Sequence, residues 1–396
     1  MSANYVVEQL GRRLRLGVVG GGPGSFIGSI HRGAALMNEQ YEVIAAVLSS
    51  DAARSTAYAA ALGIPRGYDS AREMIEAETA RGDGIDVIAI MTPNNSHYEI
   101  ARLALESGLH VICEKPLTNH YHEAISLAAL VNQTGLQFCV AYGYAGYPMV
   151  RQAKAMVEAG DLGEIRMIQC NYVQGHLAEM AEDEKNGTNW HMLPEVAGEN
   201  LIVADIGTHC YHLCSYVTGM QPEQLSADSC TMVPGRTATD YTSIQLRYAN
   251  GARGSLWVTQ AAAGAEHGLY LRVFGSKGGI EWHQEYPNEL LFRSLDQPAQ
   301  VFTKGGPGLY ESAKHASAVP IGHPEGYREA FATLYRDFAE AVTDALTAQA
   351  SPKDPLLFPQ IEDGVQGVRF IEAAEESNRG NGFWVQVIPK YDYSMI

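Results

Sequence analysis

The chain is short of positive charge. Its 28 Lys and Arg stand against 45 Asp and Glu, a formal charge of −17. A nucleic acid or an anionic membrane surface selects a basic face, so this balance argues against both as partners. It also leans, weakly, toward a neutral substrate over a phosphorylated or carboxylated one. No apolar run approaches the ~20 residues of a membrane-spanning helix. Met1 to Arg15 lacks an apolar stretch and carries Glu8, so it does not read as a secretory signal. The six cysteines, at 113, 139, 170, 210, 214 and 230, contain no Cys-x-x-Cys pair. Cys113 and Cys139 lie inside apolar runs, where cysteine acts as a small hydrophobe. The expectation is reduced thiols, a cytoplasmic protein and no metal. No internal repeat and no low-complexity tract interrupts the chain.

What is present is ample chain: 396 residues, 46% of them hydrophobic. That is enough for two or three domains at ~150 residues each, and for cores that need no staples. The first ~145 residues alternate apolar runs with helix-like stretches. Leu14–Val19, Val43–Leu48, Asp86–Met91, Val111–Cys113 and Gln137–Ala141 read as strands. Continuous apolar runs are strands buried on both faces, and strand–helix alternation predicts a doubly wound parallel sheet. From Ile165 to about Phe292 the pattern turns β-rich. Asn250-Gly251 between Thr239–Tyr248 and Arg253–Thr259 predicts a hairpin in a largely antiparallel sheet. A helix-like segment, Leu201–Val217, interrupts it, and others follow at Gly326–Thr347 and Gln360–Ser377. A domain boundary falls near Tyr144–Met149.

Four loops of the first half carry chemistry. Val18–His31 runs from a strand through Gly20, Gly21, Gly22 and Gly24 to a helix. Glycines there let the backbone approach a pyrophosphate seated on the helix N-terminus. Gly28 lies six residues beyond Gly22 instead of three, which reads as a lengthened loop. The dinucleotide contacts expected here are Gly20, Gly22, Gly24, Ser25, Phe26 and Ile27. After the second strand, Ser49 stands where an acid was expected to hold the ribose. Ser49, Ser50 and Arg54 suit a 2′-phosphate, while Asp51 suits a ribose or simply caps the next helix. NAD and NADP both remain open. Thr92, Pro93, Asn94 and His97 follow the third long strand at the ligand edge of the sheet, with Ser96 reading as an N-cap. Glu114-Lys115-Pro116 follows Val111–Cys113, and Glu114 and Lys115 are expected among the cofactor contacts. A lysine at the carboxyl end of a parallel strand suits acid–base work in a ligand crevice, and the plain alternative is a surface Lys–Glu pair.

In the second half, Asp205 and His209 are four apart in a helix-like stretch, so they share a face and a carboxylate can orient the imidazole. A structural helix-face pair is the plain alternative. His212 with Cys210 and Cys214 makes no clean metal-ligand pattern. Tyr172, His176 and Trp190, with Gln174, suit a sugar, whose apolar face stacks on aromatics while its hydroxyls need polar partners. Strand alternation puts Tyr172, Gln174 and His176 on one face.

The glycine-rich first turn, Thr92-Pro93-Asn94 with His97, Glu114-Lys115-Pro116 and Asp205-Ile-Gly-Thr-His209, in this order, resemble the glucose–fructose oxidoreductase/inositol dehydrogenase (Gfo/Idh/MocA) family. The resemblance covers essentially the whole chain. It implies an α/β protein: an N-terminal Rossmann domain (1–145) and a C-terminal α+β domain (146–396). The latter is built on a large, mostly antiparallel sheet that mediates homodimers or homotetramers. It implies Lys115 as the catalytic lysine, with Asp205 and His209 at the substrate. It implies hydride transfer between NAD or NADP and a secondary hydroxyl or ketone of a sugar, glycoside or cyclitol. Ser49, His212 and Trp190-His191 depart from the family pattern. Ile321–Tyr327 resembles a segment of relatives that handle sugars, which puts His323 at the substrate. The reading requires an amine, an imidazole and a carboxylate from two halves of the chain to serve one coenzyme. Two other classes compete: an enzyme that oxidises transiently and cleaves a glycoside, and a dinucleotide-binding sensor without catalysis.

Overall fold

The apolar runs of the first half become strands β1 (Leu14–Gly20), β2 (Tyr41–Val47), β4 (Val87–Met91), β5 (His110–Cys113) and β6 (Phe138–Val140), joined by the two-residue β3 (Arg66–Gly67). All pair in parallel, in the order β3-β2-β1-β4-β5-β6. Leu16, Val18, Val87, Ile88 and Ile90 have no exposed surface, as strands covered on both faces require. Helices Phe26–Met37, Ala52–Ala61, Ala71–Thr79, His97–Glu106 and Tyr121–Thr134 alternate with them. The strand order reverses between β1 and β4. In such a sheet the ligand crevice lies outside the carboxyl ends of the strands at that point.

The computed structural model describes residues 4–180, 182–185, 193–198, 200–348 and 356–387. They form two compact units. The first comprises the described residues of 1–118, 122–146 and 327–365, and the second those of 119–121, 147–326 and 366–396. Helix Tyr327–Leu346, far along the chain, therefore belongs with the Rossmann sheet. The reason is packing: Phe331 lies on Gly143, where a Cβ would stand 2.2 Å from its ring, and Tyr335 Oη bonds His31 at 2.8 Å.

The second unit is built on nine strands: β7 (Ile165–Gln174), β8 (Pro222–Cys230), β9 (Tyr241–Tyr248), β10 (Arg253–Thr259), β11 (His267–Gly275), β12 (Gly278–His283), β13 (Glu289–Ser294), β14 (Gln300–Thr303) and β15 (Val385–Gln386). The order is β14-β13-β12-β11-β7-β10-β9-β8-β15, antiparallel except for the pair β7–β10. The hairpin β9–β10 turns at Asn250-Gly251, with Gly251 at φ +86°. Helix Pro148–Glu158 opens this unit with proline in its first turn, where a missing N–H costs nothing. All six cysteines are free thiols. Among the described residues no helix is long and apolar enough to cross a membrane.

Buried neutral histidines tie folding to pH. His110 Nδ1 accepts the Gln137 N–H at 2.9 Å, which requires its lone pair. Burial pushes His110 down to about 4 and His212 to about 3. The unfolded chain takes up these protons near pH 6.5, the folded chain only near 4 and below. Stability is therefore full above about pH 6.5 and falls as the pH drops toward 4. Urea midpoints measured across that range should decline. His110→Asn, whose Oδ1 keeps an acceptor for Gln137, should flatten the decline.

Candidate active site

The glycine loop leaves β1 at Gly20, where a Cβ would stand 2.4 Å from the Met91 carbonyl oxygen. The loop ends at Ser25, whose hydroxyl caps the next helix by accepting the Gly28 N–H at 3.1 Å. Gly28 packs on Gly21, its absent Cβ only 2.1 Å from the Gly21 oxygen. It thus fills the close helix–strand contact of the fingerprint despite the longer spacing. Phe26, 68% exposed, opens the helix and stacks at 6.0 Å on Tyr327. Arg32, not singled out in the sequence, donates to the Gly21 carbonyl and holds the loop from behind.

After β2, Asp51 is the N-cap of helix Ala52–Ala61, accepting the Arg54 N–H at 2.8 Å. Ser49 Oγ accepts the Asp51 N–H at 3.1 Å. Ser50 and Arg54 are exposed beside them. The capping role of Asp51 is thus realised.

After β4, Ser96 does not cap its helix. Its hydroxyl turns to Thr92 Oγ1 at 2.7 Å and Pro93 O at 2.8 Å, because a short 3₁₀ turn, Asn94–Ser96, precedes the helix. His97 also departs from expectation. It is fully buried, its Nδ1 2.9 Å from Pro116 O and its Nε2 2.9 Å from Thr92 O. Its one ring N–H donates to one of these two carbonyls, and both nitrogens face backbone inside the fold, so the ring bridges the loops after β4 and β5. Burial holds its imidazole below the usual range.

After β5, the Lys115–Pro116 peptide is cis. Glu114 is 7% exposed, so it is no member of a surface pair. Its Oε1 lies 2.8 Å from His31 Nε2, and its Oε2 accepts the Lys115 N–H at 3.1 Å. Lys115 itself is half-buried.

In the second unit, Asp205 sits in a π-helical turn, Val203–Gly207, that runs into helix Thr208–Thr218 bearing His209. The sequence spacing predicted a plain α-helix here; i→i+5 bonding widens the turn, a feature common at functional sites. Gln260 Nε2 donates to Asp205 Oδ2 at 2.8 Å and to Gln174 Oε1 at 3.1 Å. Gln174 Nε2 in turn donates to His267 Nδ1 at 2.9 Å. His267 therefore carries its proton on Nε2. The Tyr172 ring lies 6.3 Å from that of His209 and 6.5 Å from that of His267. β7 ends at Gln174, so His176 is not on the strand face with Tyr172; it reaches the group from the following turn, stacking at 6.1 Å on His267. Gln260 and His267 carry no local motif and were not legible as site residues. His323 is exposed, its N–H donating to Pro320 O at 3.2 Å. Trp190 and His191 lie outside the described residues.

A Rossmann sheet with a glycine loop, joined in one chain to a polar group on a mixed sheet, is the architecture of a dinucleotide-binding protein. The comparisons agree. The family model described as "Oxidoreductase family, NAD-binding Rossmann fold" matches residues 14–142, and "GFO/IDH/MocA C-terminal domain" matches 150–281. The uncharacterized oxidoreductase YfiI of Bacillus subtilis (strain 168) is 34% identical over 95% of this chain and 98% of its own. Levoglucosan dehydrogenase of Pseudarthrobacter phenanthrenivorans is 26% identical over 76% of this chain and 80% of its own. An inositol dehydrogenase homolog from Azotobacter vinelandii, solved with NAD+, superposes with a TM-score of 0.88 at 36% identity, covering 95% of this chain and 97% of the other. The same homolog solved with NADH and myo-inositol gives 0.87 at 34%, covering 96% and 98%. The chain belongs to the Gfo/Idh/MocA family of NAD-binding oxidoreductases.

Proposed function

We propose that this protein oxidises a secondary hydroxyl of a sugar or cyclitol, or reduces the corresponding ketone, with NAD. One observation carries the substrate class: the hydrogen-bonded row Asp205, Gln260, Gln174 and His267 beside the Tyr172 ring. Fixed amides, a carboxylate and imidazoles match adjacent hydroxyls, and an aromatic wall matches the C–H face of a ring. The myo-inositol and levoglucosan of the two relatives are compounds of that kind.

The residues fit the cofactor. Gly20 and Gly28 let the loop pack directly on Met91 and on its own Gly21, and the helix capped by Ser25 starts beyond it, the arrangement that suits a pyrophosphate at a helix N-terminus. Gly20, Gly22, Gly24, Ser25, Phe26 and Ile27 hold the phosphates, Ser49, Ser50 and Arg54 the adenosine side, and Thr92, Pro93, Asn94 and Lys115 the nicotinamide side. Bound NAD supplies the hydride acceptor. Lys115 donates a hydrogen bond to the reacting oxygen and stabilises the alkoxide charge that develops there. His209 takes the hydroxyl proton. Asp205, anchored by Gln260, orients the imidazole or a neighbouring hydroxyl.

The test is a panel of sugars, glycosides and inositols assayed with NAD and NADP separately. Net NADH formation with one polyol supports the reading. Glycoside cleavage without net NADH marks the transient-oxidation class, and NADH binding without turnover on any compound marks a sensor.

Six free thiols support a reducing, cytoplasmic setting. Met167 and Trp257, 54% and 41% exposed on the paired strands β7 and β10, support assembly of copies through the open sheet face. Sedimentation should show a dimer or tetramer that Trp257→Glu converts to monomer. A wild-type monomer would refute that assembly.

A further inference from the structure

A chain of three buried polar side chains stands behind Lys115, all within the first unit. His31, on the helix that follows the glycine loop, has no exposed surface. Its Nδ1 lies 2.8 Å from Tyr335 Oη and its Nε2 2.8 Å from Glu114 Oε1. Glu114 Oε2 accepts the Lys115 N–H, and the Glu114 N–H donates to Ile90 O at the end of β4. The Phe331 ring closes over His31 at 5.3 Å, edge to face.

A proton count fixes the direction of this chain. Burial holds the Tyr335 phenol well above its usual range, so it keeps its proton. Among the described residues, its hydroxyl meets one side-chain partner, His31. The phenol proton therefore goes to Nδ1, and Nε2 carries the ring proton and donates it to Glu114. An imidazolium donating at both nitrogens would leave the phenol proton buried without an acceptor. The donors run one way, from Tyr335 to His31 to Glu114, and end on the carboxylate that grips the Lys115 amide.

Stability alone does not call for this arrangement. Apolar side chains of the same volume fill a core at least as well as a buried charged group with its partners. What the polar chain adds is a fixed orientation for one carboxylate, and that carboxylate is hydrogen-bonded to the backbone of the lysine next to it.

We propose that His31 is a positioning residue: with Tyr335 behind it, it fixes Glu114 and thereby the backbone from which Lys115 presents its amine. The claim rests on the reading of Lys115 as catalytic, and the experiment separates the two. Full-length His31→Phe, His31→Gln, Tyr335→Phe and Lys115→Ala are compared with wild type. The readouts are NADH affinity by fluorescence, thermal midpoint, and kcat and KM with NAD and the polyol that the panel selects. His31→Phe should lower kcat about 10- to 100-fold, the order that a small misplacement of a catalytic group costs, with KM and NADH affinity changed less than about twofold. His31→Gln, which keeps an N–H directed toward Glu114, should recover most of the loss, and Tyr335→Phe should lose less than His31→Phe.

A folded His31→Phe with kcat within about twofold of wild type overturns the proposal, as does a loss that His31→Gln fails to recover. If His31→Phe does not fold, Tyr335→Phe decides: unchanged kcat overturns it and a lowered kcat at constant KM supports it. Ring-nitrogen NMR of His31 needs no substrate. A neutral Nε2–H tautomer near neutral pH supports the donor direction, and a doubly protonated ring overturns it. If Lys115→Ala keeps its turnover, the catalytic reading fails whatever His31 does. If Lys115→Ala is inactive and His31→Phe is not, only the positioning claim falls.

Discussion

Lys115→Ala should lower turnover by about 10²–10⁴ and leave NADH affinity nearly unchanged. The two readouts separate because they draw on different parts of the first unit. On the proposed reading the phosphates of a dinucleotide are served by the backbone after β1 and by the helix capped by Ser25, a different stretch of the first unit from residue 115. The backbone of residue 115 remains held by Glu114 after the substitution, since that bond uses the amide N–H. On the proposed mechanism, loss of the amine removes one hydrogen-bond donor from the reacting oxygen. Lys115→Arg sharpens the test. A guanidinium keeps the charge but is bulkier, planar and unable to give up its proton near neutrality. If the amine exchanges a proton, arginine should be nearly as slow as alanine; if charge alone matters, arginine should recover much of the rate. Turnover of Lys115→Ala equal to wild type would remove the lysine from the mechanism.

Gly28→Ala should damage the cofactor site through sterics alone. Gly28 lies in a helix, where alanine is intrinsically favoured over glycine by about 1 kcal/mol. Against that preference stands a Cβ built 2.1 Å from the Gly21 oxygen and 2.5 Å from its Cα. Both are backbone atoms, and Gly21 is itself gripped by Arg32, so no side chain can swing aside. Either the helix moves off the sheet or the glycine loop shifts. Overpacking of this kind costs about 1–3 kcal/mol, and the loop that shifts is the one proposed to meet the phosphates. A loss of NADH affinity of at least tenfold is expected, about 1.4 kcal/mol, with a lowered thermal midpoint. Gly33→Ala is the control on the same helix. A Cβ there meets nothing within 4 Å, so it should raise stability and leave NADH affinity alone. Equal behaviour of the two variants would refute the close-packing role of Gly28.

The sequence revealed most where one residue type answers to one physical demand. Continuous apolar runs become strands with two covered faces, and Asn250-Gly251 makes a hairpin because few other pairs accept that backbone. The two-residue β3 has too little chain to show a period. The π turn at Asp205 leaves the spacing to His209 unchanged, so a helical pattern cannot distinguish it from an α-helix. Gln260 and His267 join the polar row through Gln174, 86 and 93 residues earlier, and no local signal carries such a pairing. His97 illustrates the opposite error. Its place in a cofactor-side motif suggested contact with the ligand, whereas its ring lies fully buried between two backbone carbonyls. The same holds for Glu114, whose neighbour in sequence is a lysine but whose side-chain partner, His31, lies 83 residues earlier.

The return of helix Tyr327–Leu346 to the Rossmann sheet has a consequence for synthesis. A ribosome releases β1 to β6 first, yet the side chains that close over Gly143 and His31 emerge about 200 residues later. At about 5–20 residues per second, the nascent nucleotide-binding half waits some ten to forty seconds with that flank open to water. Truncation after residue 146 makes the wait permanent, so such a fragment should bind chaperones and aggregate, while a circular permutant that begins near Tyr327 would deliver the missing helix first.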